Sequence, residues 1–374
     1  MKVGLLKEQE YDNRVALLPD NVRSLKKLQL EVAVVESAGK GAFFSDDEYK
    51  EAGAEILSSS EVLKQSDLLV RINPFSVEEI SNLNSNQVLV SLLNPHANKE
   101  LIKSARDKQL TTFGLDNIPR ITRAQSMDVL SSMATTAGYK AVLEAANLLP
   151  RFFPMFMSAA GTIKPAKVLV LGAGVAGLQA IATSRKLGAV VEAFDVRSAV
   201  KEEVESLGGK FVEVEGAKER EDAGGYAVEQ SEQYMKKQEQ LVQEHAQKAD
   251  VIITTAQIPG KEAPKLIKKE TVEKMKPGSV IIDLAASSGG NCELTKNNEK
   301  YRHKEVMIVG NSNYPSELPS DASKMFGNNL INFFKLIIDE SGDLNLNFED
   351  EIVKKTCVTH KGEITDEKIK EIIQ

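Results

Sequence analysis

Hydrophobic and polar positions alternate along the chain in two rhythms that together predict an α/β fold. Short apolar runs of strand character are separated by longer stretches in which apolar residues recur every three or four positions, the spacing of an amphipathic helix. Strands that alternate with helices in this way predict parallel sheets. The predicted strands form two series: Val3–Leu6, Val32–Glu36, Leu68–Ile72, Val88–Leu93 and Thr111–Leu115, followed by Lys167–Leu171, Val190–Asp195, Phe211–Val214, Val251–Thr255, Val280–Leu284 and Val306–Val309.

Two long predicted helices connect these series, one from about Ser126 to Leu148 and one from about Asp321 to Ile338. We therefore expect the chain to cross twice between two Rossmann-like domains with parallel sheets. The first domain would be discontinuous (1–128 with 320–374), and the second would be a Rossmann dinucleotide-binding domain (129–319). A cleft between domains is where ligand sites are favoured. Residues 344–365, after the second helix, have the pattern of a small β-hairpin.

Composition and charge narrow the function classes. Hydrophobic and charged residues make up 42% and 27% of the 374 residues, which is ordinary for a globular protein. A formal net charge of −7 argues against a general nucleic-acid binder. The two cysteines, Cys292 and Cys357, show no CxxC spacing, which indicates a reducing compartment. No uninterrupted apolar stretch has the length of a transmembrane helix.

The stretch VLVLGAGVAGLQAI, residues 168–181, contains a GxGxxG pattern between a predicted strand and a predicted helix. Gly172 would permit the tight turn, Gly174 would let the backbone approach a pyrophosphate, and Gly177 would let helix and strand pack closely. The amides of the helix N-terminus, including those of Val175 and Ala176, would then face the diphosphate. The pattern therefore predicts a dinucleotide site.

The next predicted strand ends in Asp195, at the spacing where a carboxylate accepts the ribose hydroxyls of a dinucleotide. Such a carboxylate repels a 2′-phosphate, so the sequence favours NAD(H) over NADP(H). Arg197, which follows after Val196, weakens this preference, because an arginine can pair with that phosphate; its other interpretation is a solvated residue at the start of the next helix.

A second set of polar residues, IPRITRAQSMDVLSS (118–132), precedes the first long helix. One interpretation is structural: Ser126 caps the helix and Asp128 stabilises its dipole. The other is functional. Gln125 would bond a nicotinamide carboxamide, while an Arg120–Asp128 pair would hold the loop rigid.

These residues carry a family resemblance that covers nearly the whole chain. The run PRITRAQSMDVLSSMATTAGYKAV resembles the signature of the NAD(H)-binding component of proton-translocating nicotinamide nucleotide transhydrogenase. GAGVAGLQAIATSRKLGAVVEAFDVR, TTAQIPGKEAPKLI and MKPGSVIIDLAASSGGNCE resemble the same component, as do KEQEYDNRVALLP near the start and GNNLINFF in the second long helix.

The resemblance implies a homodimer that binds NAD(H) and exchanges hydride with NADP(H) on a partner component. The proton-translocating membrane component would be a further chain, so this chain would be peripheral to the membrane, on its cytoplasmic or matrix-like side. It also implies a mobile loop within Glu215–Tyr226 whose tyrosine closes on the nucleotide. The implied catalytic residues are Arg120, Gln125, Asp128, Ser131 and Tyr226. The implied nucleotide-binding residues are Arg120, Ile121, Thr122, Arg123, Gln125, Gly172, Gly174, Val175, Ala176, Gly177, Asp195, Val196, Arg197, Gly225, Tyr226, Ala256, Gln257 and Leu266.

Alanine dehydrogenase, a relative of that family, provides the alternative function. Its motifs require an arginine, a lysine, a histidine and an aspartate, because amino-acid oxidation needs acid–base groups. Arg14 matches the arginine, whereas Asn73, Asn94 and Ser287 fall at the other three positions. His96 lies two residues from the histidine position and keeps this alternative open. A non-catalytic NADH-responsive module is a third possibility, against which the Arg120–Gln125–Asp128 loop argues.

The remaining histidines and the cysteine after GGN suggest no further site. His245, His303 and His360 have no ligand spacing, so we expect no metal. Cys292 has no histidine placed to activate it and is expected to be a buried structural thiol. Hydride transfer between two nicotinamides moves no substrate proton, which agrees with the incomplete set of acid–base groups.

Overall fold

The structure, a computed structural model, describes residues 1–214, 232–258 and 260–373. The chain divides into two compact units, Met1–Met133 with Pro315–Gln374, and Ala134–Tyr314. They are called unit 1 and unit 2 below, and each is described by itself.

The secondary structure of the described residues alternates between strands and helices for most of its length. The strands are β1 Lys2–Leu5, β2 Glu31–Val35, β3 Glu55–Leu57, β4 Leu68–Val70, β5 Val88–Ser91, β6 Thr111–Gly114, β7 Phe156–Ser158, β8 Gly161–Ile163, β9 Lys167–Leu171, β10 Val190–Phe194, β11 Lys210–Phe211, β12 Val251–Thr254, β13 Val280–Asp283, β14 Lys300–His303, β15 Val306–Val309, β16 Cys357–His360 and β17 Glu363–Ile364. The α-helices are α1 Pro19–Lys27, α2 Asp46–Glu51, α3 Ser59–Gln65, α4 Val77–Ser81, α5 Lys99–Asp107, α6 Val129–Leu148, α7 Val175–Lys186, α8 Lys201–Ser206, α9 Glu232–Lys248, α10 Lys269–Val272, α11 Pro319–Ile337, α12 Glu351–Thr356 and α13 Glu367–Ile373.

Unit 1 is built on an eight-stranded sheet in the order β17-β16-β6-β5-β4-β1-β2-β3. The strands from β6 to β3 are parallel, and the C-terminal strands β16 and β17 add an antiparallel edge. β1, β4 and β5 are almost wholly buried, as expected for central strands covered on both faces. The buried face of α11 contributes Phe333, whose ring meets Phe113 of β6 edge to face at 5.4 Å.

Unit 2 contains a seven-stranded sheet in the order β11-β10-β9-β12-β13-β15-β14. All neighbouring strands are parallel except β14, which runs antiparallel to β15. The chain order reverses at β9, which lies between β10 and β12. In a doubly wound sheet, ligands bind beyond the carboxyl ends of the strands at such a reversal. The fold therefore points to the turn after β9.

The long helix α6 begins in unit 1 and continues into unit 2. In unit 2 it packs closely on α7, since a Cβ atom added at Gly138 would lie 2.2 Å from the Ala176 carbonyl oxygen. The second long helix, α11, lies within unit 1, because the chain re-enters that unit at Pro315.

Several elements differ from the sequence-based expectations. The edge strand β14, the short strand β3 and the hairpin β7–β8 are additional. The predicted hairpin at 344–365 is correct only for β16 and β17, because α12 occupies part of that segment. The first long helix begins at Val129, preceded by a 3₁₀ helix at Thr122–Met127, so Ser126 is not its N-cap.

Candidate functional site

The turn after β9 is packed so tightly that two of its glycines have no room for a side chain. Gly172 has φ +100°, and a Cβ atom there would lie 2.5 Å from the Thr255 Oγ1 atom. A Cβ atom at Gly177 would lie 1.8 Å from the Gly172 carbonyl oxygen. Thr255 also donates its hydroxyl to that oxygen at 3.0 Å. The first and third glycines therefore hold β9, α7 and the segment after β12 together.

Gly174 has a different environment. It occupies the N-cap position of α7, and a Cβ atom added to it would meet no heavy atom within 4 Å. The first N–H groups of a helix have no partner within the helix and attract anions. Open space at this position gives a pyrophosphate room to approach these N–H groups, among them those of Val175 and Ala176. The cradle therefore fits a dinucleotide.

Asp195, which follows β10, lies against this turn. Its Oδ2 atom accepts from the Ala173 N–H at 2.7 Å and its Oδ1 atom accepts from the Arg197 N–H at 2.9 Å. The Arg197 guanidinium donates to both oxygens, from Nε and Nη2, at 2.9 Å each. Burial by itself raises the pKa of Asp195, but the bonds from Arg197 and Ala173 lower the pKa below its ordinary value. The carboxylate is therefore charged at neutral pH and lies beside the glycine turn.

Two residues that the sequence analysis did not assign, Asp283 and Asn291, build the adjacent wall. Asp283 is fully buried at the end of β13 and accepts from the N–H groups of Asn291 and Cys292 at 2.7 and 3.0 Å. The Asn291 side chain bonds both the N–H and the carbonyl of Ala256, and it donates to the Pro264 carbonyl at 2.9 Å. These bonds join the segments that follow β12 and β13. The only sequence signal was an aspartate at a strand end followed by GGN.

The predicted nucleotide-binding residues that follow β10 and β12 belong to the same unit. Val196 is 55% exposed, Gln257 is exposed and donates to the Leu284 carbonyl at 2.9 Å, and Ala256 is half-buried. The Leu266 N–H donates to the Asn291 carbonyl at 2.7 Å. Unit 2 thus gathers Gly172, Gly174, Gly177 and Asp195 at one turn, bordered by Ala256. The predicted Gly225 and Tyr226, like the whole of the predicted mobile loop at 215–226, lie outside the described residues.

The second polar group lies in unit 1, around the 3₁₀ helix Thr122–Met127. Arg120, Thr122, Arg123 and Gln125 are exposed, and Ile121 is half-buried. The loop is anchored by Arg123, which makes two bonds to the Asp350 carboxylate at 2.7 and 2.8 Å. Asn329 and Asn332 of α11 donate to the Ser126 carbonyl at 2.8 and 3.1 Å. Gln125 is thus an exposed residue on a loop that is anchored on both sides of it.

The expected Arg120–Asp128 pair is not formed among the described residues. Asp128 instead caps α6, because its Oδ1 and Oδ2 atoms accept from the N–H and hydroxyl of Ser131 at 2.9 and 2.6 Å. The expectation failed because α6 begins directly after Asp128, where a side-chain oxygen satisfies an amide of the first turn. Rigidity of the loop comes from Arg123 and from α11.

The residues aligned with an amino-acid site form a buried network in unit 1. The Arg14 guanidinium pairs with both oxygens of Asp12, and the Asn73 amide donates to Asp12 and to Glu8 at 2.8 and 2.9 Å. Burial raises the pKa of Glu8, whereas the bonds from Arg14 and Asn73 lower the pKa of Asp12 despite its burial. Arg14 therefore already has a carboxylate partner within its own chain.

The other candidate acid–base and thiol groups do not form a site. His96 is exposed and lines a cavity of about 530 Å³ in unit 1, and Ser287 lies in a short 3₁₀ helix. His245 bonds Glu192, His303 bonds Glu273 and His360 bonds Thr111. Cys292 is buried, which raises the pKa of its thiol to about 11.

Neither a metal-ligand cluster nor a membrane-spanning helix occurs in the described ranges. In residues 1–214, 232–258 and 260–373, no three His, Cys, Asp or Glu side chains are grouped so that they could hold a metal ion. Within the same ranges, no helix combines the length and apolar character needed to cross a membrane.

The glycine turn, the carboxylate beside it and the reversal of strand order at β9 define a two-domain α/β protein whose second domain is of the Rossmann dinucleotide-binding type. The chain belongs to the alanine dehydrogenase/PNT family: the N-terminal domain model matches residues 4–137 and the C-terminal domain model matches residues 141–367. It is thereby an oxidoreductase.

Individual relatives show which branch of the family the chain resembles. It is 46% identical over 374 residues to an NAD(P) transhydrogenase subunit alpha polypeptide of Rhodospirillum rubrum, covering 97% of each chain. A crystal structure of transhydrogenase from Sinorhizobium meliloti matches with a TM-score of 0.89 at 43% identity, over 97% of this chain and 100% of that one. Alanine dehydrogenase of Mycolicibacterium smegmatis is 26% identical, over 99% of this chain and 96% of that protein. The chain therefore resembles transhydrogenase subunits far more than alanine dehydrogenases.

Proposed function

We propose that this chain is the NAD(H)-binding catalytic component of a proton-translocating transhydrogenase. The observation that carries the proposal is the Gly172–Gly177 turn with Asp195 beside it, at the reversal of strand order in unit 2. Asp195 would accept hydrogen bonds from the ribose hydroxyls, and the first backbone N–H groups of α7 would donate to the pyrophosphate. The similarity to proteins named NAD(P) transhydrogenase subunit alpha supports the same assignment.

The reaction needs alignment rather than acid–base chemistry. Bound NADH would supply a hydride from its dihydronicotinamide ring to the nicotinamide of NADP⁺ held by a partner component, giving NAD⁺ and NADPH. No substrate proton moves, so the protein must orient the ring and exclude water. The exposed Gln125 amide is proposed to bond the carboxamide of the ring, on a loop that Arg123 and Asp350 anchor. Arg120, Asp128, Ser131 and Tyr226 are proposed to complete this region of the site.

The partners are included in the proposal. The NADP(H)-binding component and the proton-translocating membrane component would be separate chains, and this chain would be peripheral to the membrane through them. A homodimer is also proposed. It is supported by the hairpin β7–β8, where all six strand residues are exposed and residues 152–163 carry no charged side chain.

The decisive experiment mixes the purified chain with a purified NADP(H)-binding component and NADH, and follows reduction of NADP⁺ or of an NADP⁺ analogue. Transfer that requires both components is expected, and the variant Asp195→Asn should lower it at subsaturating NADH. If no transfer occurs although the chain binds NADH, the catalytic assignment is wrong.

A second reaction, with NADH, pyruvate and ammonia, tests alanine dehydrogenase activity. We expect none, because Arg14 is paired with Asp12 and Asn73 bonds two carboxylates.

A further inference from the structure

The Asp195 carboxylate has all of its acceptor positions filled by its own chain. A carboxylate offers about four acceptor positions, two on each oxygen. Oδ1 accepts from the N–H and Nε of Arg197, and Oδ2 accepts from the Ala173 N–H and from Nη2 of Arg197. The carboxylate side chain is only 6% exposed. A ribose therefore cannot add its hydroxyls to this carboxylate without displacing a donor.

The four donors differ in how easily they can be displaced. The two backbone N–H groups are fixed by the glycine turn and by the chain after β10. The Arg197 side chain is 31% exposed, and Glu203 of α8 offers a second carboxylate close enough to raise the pKa of the guanidinium. The guanidinium can thus turn toward solvent and Glu203, whereas the two amides move only with the backbone of the glycine turn and of the chain after β10.

A vicinal ribose diol presents two O–H donors, which is the number of bonds that the guanidinium makes to Asp195. We propose that Arg197 is an internal competitor that occupies the ribose position of Asp195 and is displaced when NAD(H) binds. This inference rests on the proposed function, since it assumes that Asp195 receives the ribose. Its consequence is that Arg197 weakens NAD(H) binding, although it is a cationic residue in a site for an anionic nucleotide.

The same arrangement affects the choice between the two dinucleotides. A 2′-phosphate would be repelled by Asp195, and the displaced Arg197 guanidinium could offset this repulsion. Removing the Arg197 side chain should therefore increase the affinity for NADH and should not increase the affinity for NADPH. Arg197 would be a specificity-determining residue that lowers the ratio of NADH affinity to NADPH affinity.

The test measures the affinities of wild type, Arg197→Gln and Arg197→Lys for NADH and NADPH by calorimetry. Arg197→Gln should tighten NADH binding about three- to tenfold, the range expected when a partly exposed charged hydrogen-bonded pair no longer has to be broken. Arg197→Lys should fall between, because lysine donates from a single nitrogen. NADPH binding should stay equal or weaken. Arg185→Gln, which removes an exposed arginine of the same unit that bonds the Ala189 carbonyl, is the matched control and should change neither affinity.

Two further measurements separate competition from a structural role. Thermal melts of Arg197→Gln should show an equal or lower Tm while NADH affinity rises; a merely structural residue would lower both. The same variants should also be titrated with ADP and with 2′-deoxy-ADP, which lacks one of the two ribose hydroxyls. The increase in affinity from wild type to Arg197→Gln should be smaller for 2′-deoxy-ADP than for ADP.

Several outcomes would overturn the inference. If Arg197→Gln weakens NADH binding as Asp195→Asn does, or leaves it unchanged, Arg197 is not a competitor. In that case wild-type binding of NADH would still leave the proposed function standing. If the wild type does not bind NADH in this titration, the proposed function fails and this inference fails with it.

Discussion

Asn291 holds the backbone of Ala256 at two points, because its Oδ1 atom accepts the Ala256 N–H at 3.0 Å and its Nδ2 atom donates to the Ala256 carbonyl at 2.8 Å. Asp283 in turn fixes the Asn291 backbone. The Ala256 nitrogen would lie 3.2 Å from a Cβ atom at Gly172, so this clamp borders the glycine turn directly. The wall of the proposed nucleotide site is thus positioned by a side chain from the loop after the neighbouring strand.

The substitution Asn291→Asp should disrupt this clamp. The carboxylate keeps the acceptor for the Ala256 N–H but faces the Ala256 and Pro264 carbonyls, to which Asn291 donates at 2.8 and 2.9 Å. We expect about a tenfold loss of NADH affinity and a lower Tm, because the two carbonyl oxygens would lose their donor and face a carboxylate oxygen instead. The control is Asn298→Asp, at an exposed position where Oδ1 accepts from the Ser312 N–H. Unchanged affinity in Asn291→Asp would show that the clamp does not position the site.

Substitution by alanine should affect nucleotide binding at Gly174 and protein stability at Gly177. Gly174→Ala should fold normally, because its φ of −77° suits any residue and nothing lies within 4 Å of the added Cβ. It should still weaken NADH binding by about tenfold or more, because the methyl group would occupy the path of the pyrophosphate. Gly177→Ala should destabilise unit 2 itself, since the Cβ would lie 1.8 Å from a carbonyl oxygen. Thermal melts and calorimetry distinguish the two effects. Normal NADH binding by Gly174→Ala would show that the pyrophosphate does not bind at this turn.

Local patterns in the sequence were enough to predict which residues come together at the turn after β9. Gly172, Gly174, Gly177 and Asp195 lie in or directly beside the consecutive elements β9, α7 and β10, so their spacing alone relates them. Asn291 bonds backbone groups 27 and 35 residues away, and its role depends on β12 and β13 being neighbours in the sheet. No local pattern carries that information. The bond between Arg197 and Asp195 was also missed, because Arg197 was considered as a phosphate ligand or as a solvated residue and not as a partner of Asp195.

The fold shows the same division between local and distant information. β9 and β15 were predicted with the bounds that they have, since each is a short apolar run with clear polar or glycine limits. β14 was missed because its residues, KYRH, lack an apolar run and alternate between exposed and half-buried, as the edge strand of the sheet, which pairs only with β15. The structural interpretation of residues 118–132 placed the cap of α6 at Ser126, two residues before the true cap, Asp128, because both residue types cap helices.

Gln125→Asn tests the proposed role of the unit 1 loop. Shortening the side chain by one methylene keeps the amide but moves it, so hydride transfer should slow about 10- to 100-fold while NADH affinity changes little. The measurement compares single-turnover transfer to the NADP(H)-binding component with calorimetric binding of NADH. Gln109→Asn, an exposed glutamine of the same unit, is the control. An equal loss of rate and affinity would reassign Gln125 to simple binding.

Met157→Glu tests the proposed homodimer. Met157 is 70% exposed on the hairpin β7–β8, where Phe152 and Phe156 are stacked at 4.6 Å and are each 48% exposed. A two-stranded hairpin is marginally stable alone, so a second copy packed on its uncharged surface would stabilise it. Light scattering should show a dimeric wild type and a monomeric or weakened variant, whereas Met235→Glu, at another exposed methionine, should stay dimeric. A monomeric wild type would refute the homodimer, and a dimeric Met157→Glu would exclude the hairpin as its interface.

Asp250 should make the stability of unit 2 depend on pH. Its carboxylate accepts from Arg151 at 3.0 Å, from Lys276 at 2.8 Å and from the Lys167 N–H at 2.8 Å. Burial raises the pKa of Asp250, but the bond from Lys276 and the other bonds lower the pKa below its ordinary value of 3.8. A carboxyl group whose pKa is lower in the folded state stabilises the fold at pH values above its unfolded-state pKa, and this stability is lost as the pH falls through the folded-state pKa.

At neutral pH, Asp250→Asn should therefore lower the free energy of unfolding by about 1–2 kcal/mol, seen as a lower Tm, and the Tm difference from wild type should disappear on acidification. Glu299→Gln, which breaks an exposed pair with Lys296 in the same unit, should change little at any pH. A gap for Asp250→Asn that persists in acid would mean that packing, and not the charge, accounts for its contribution.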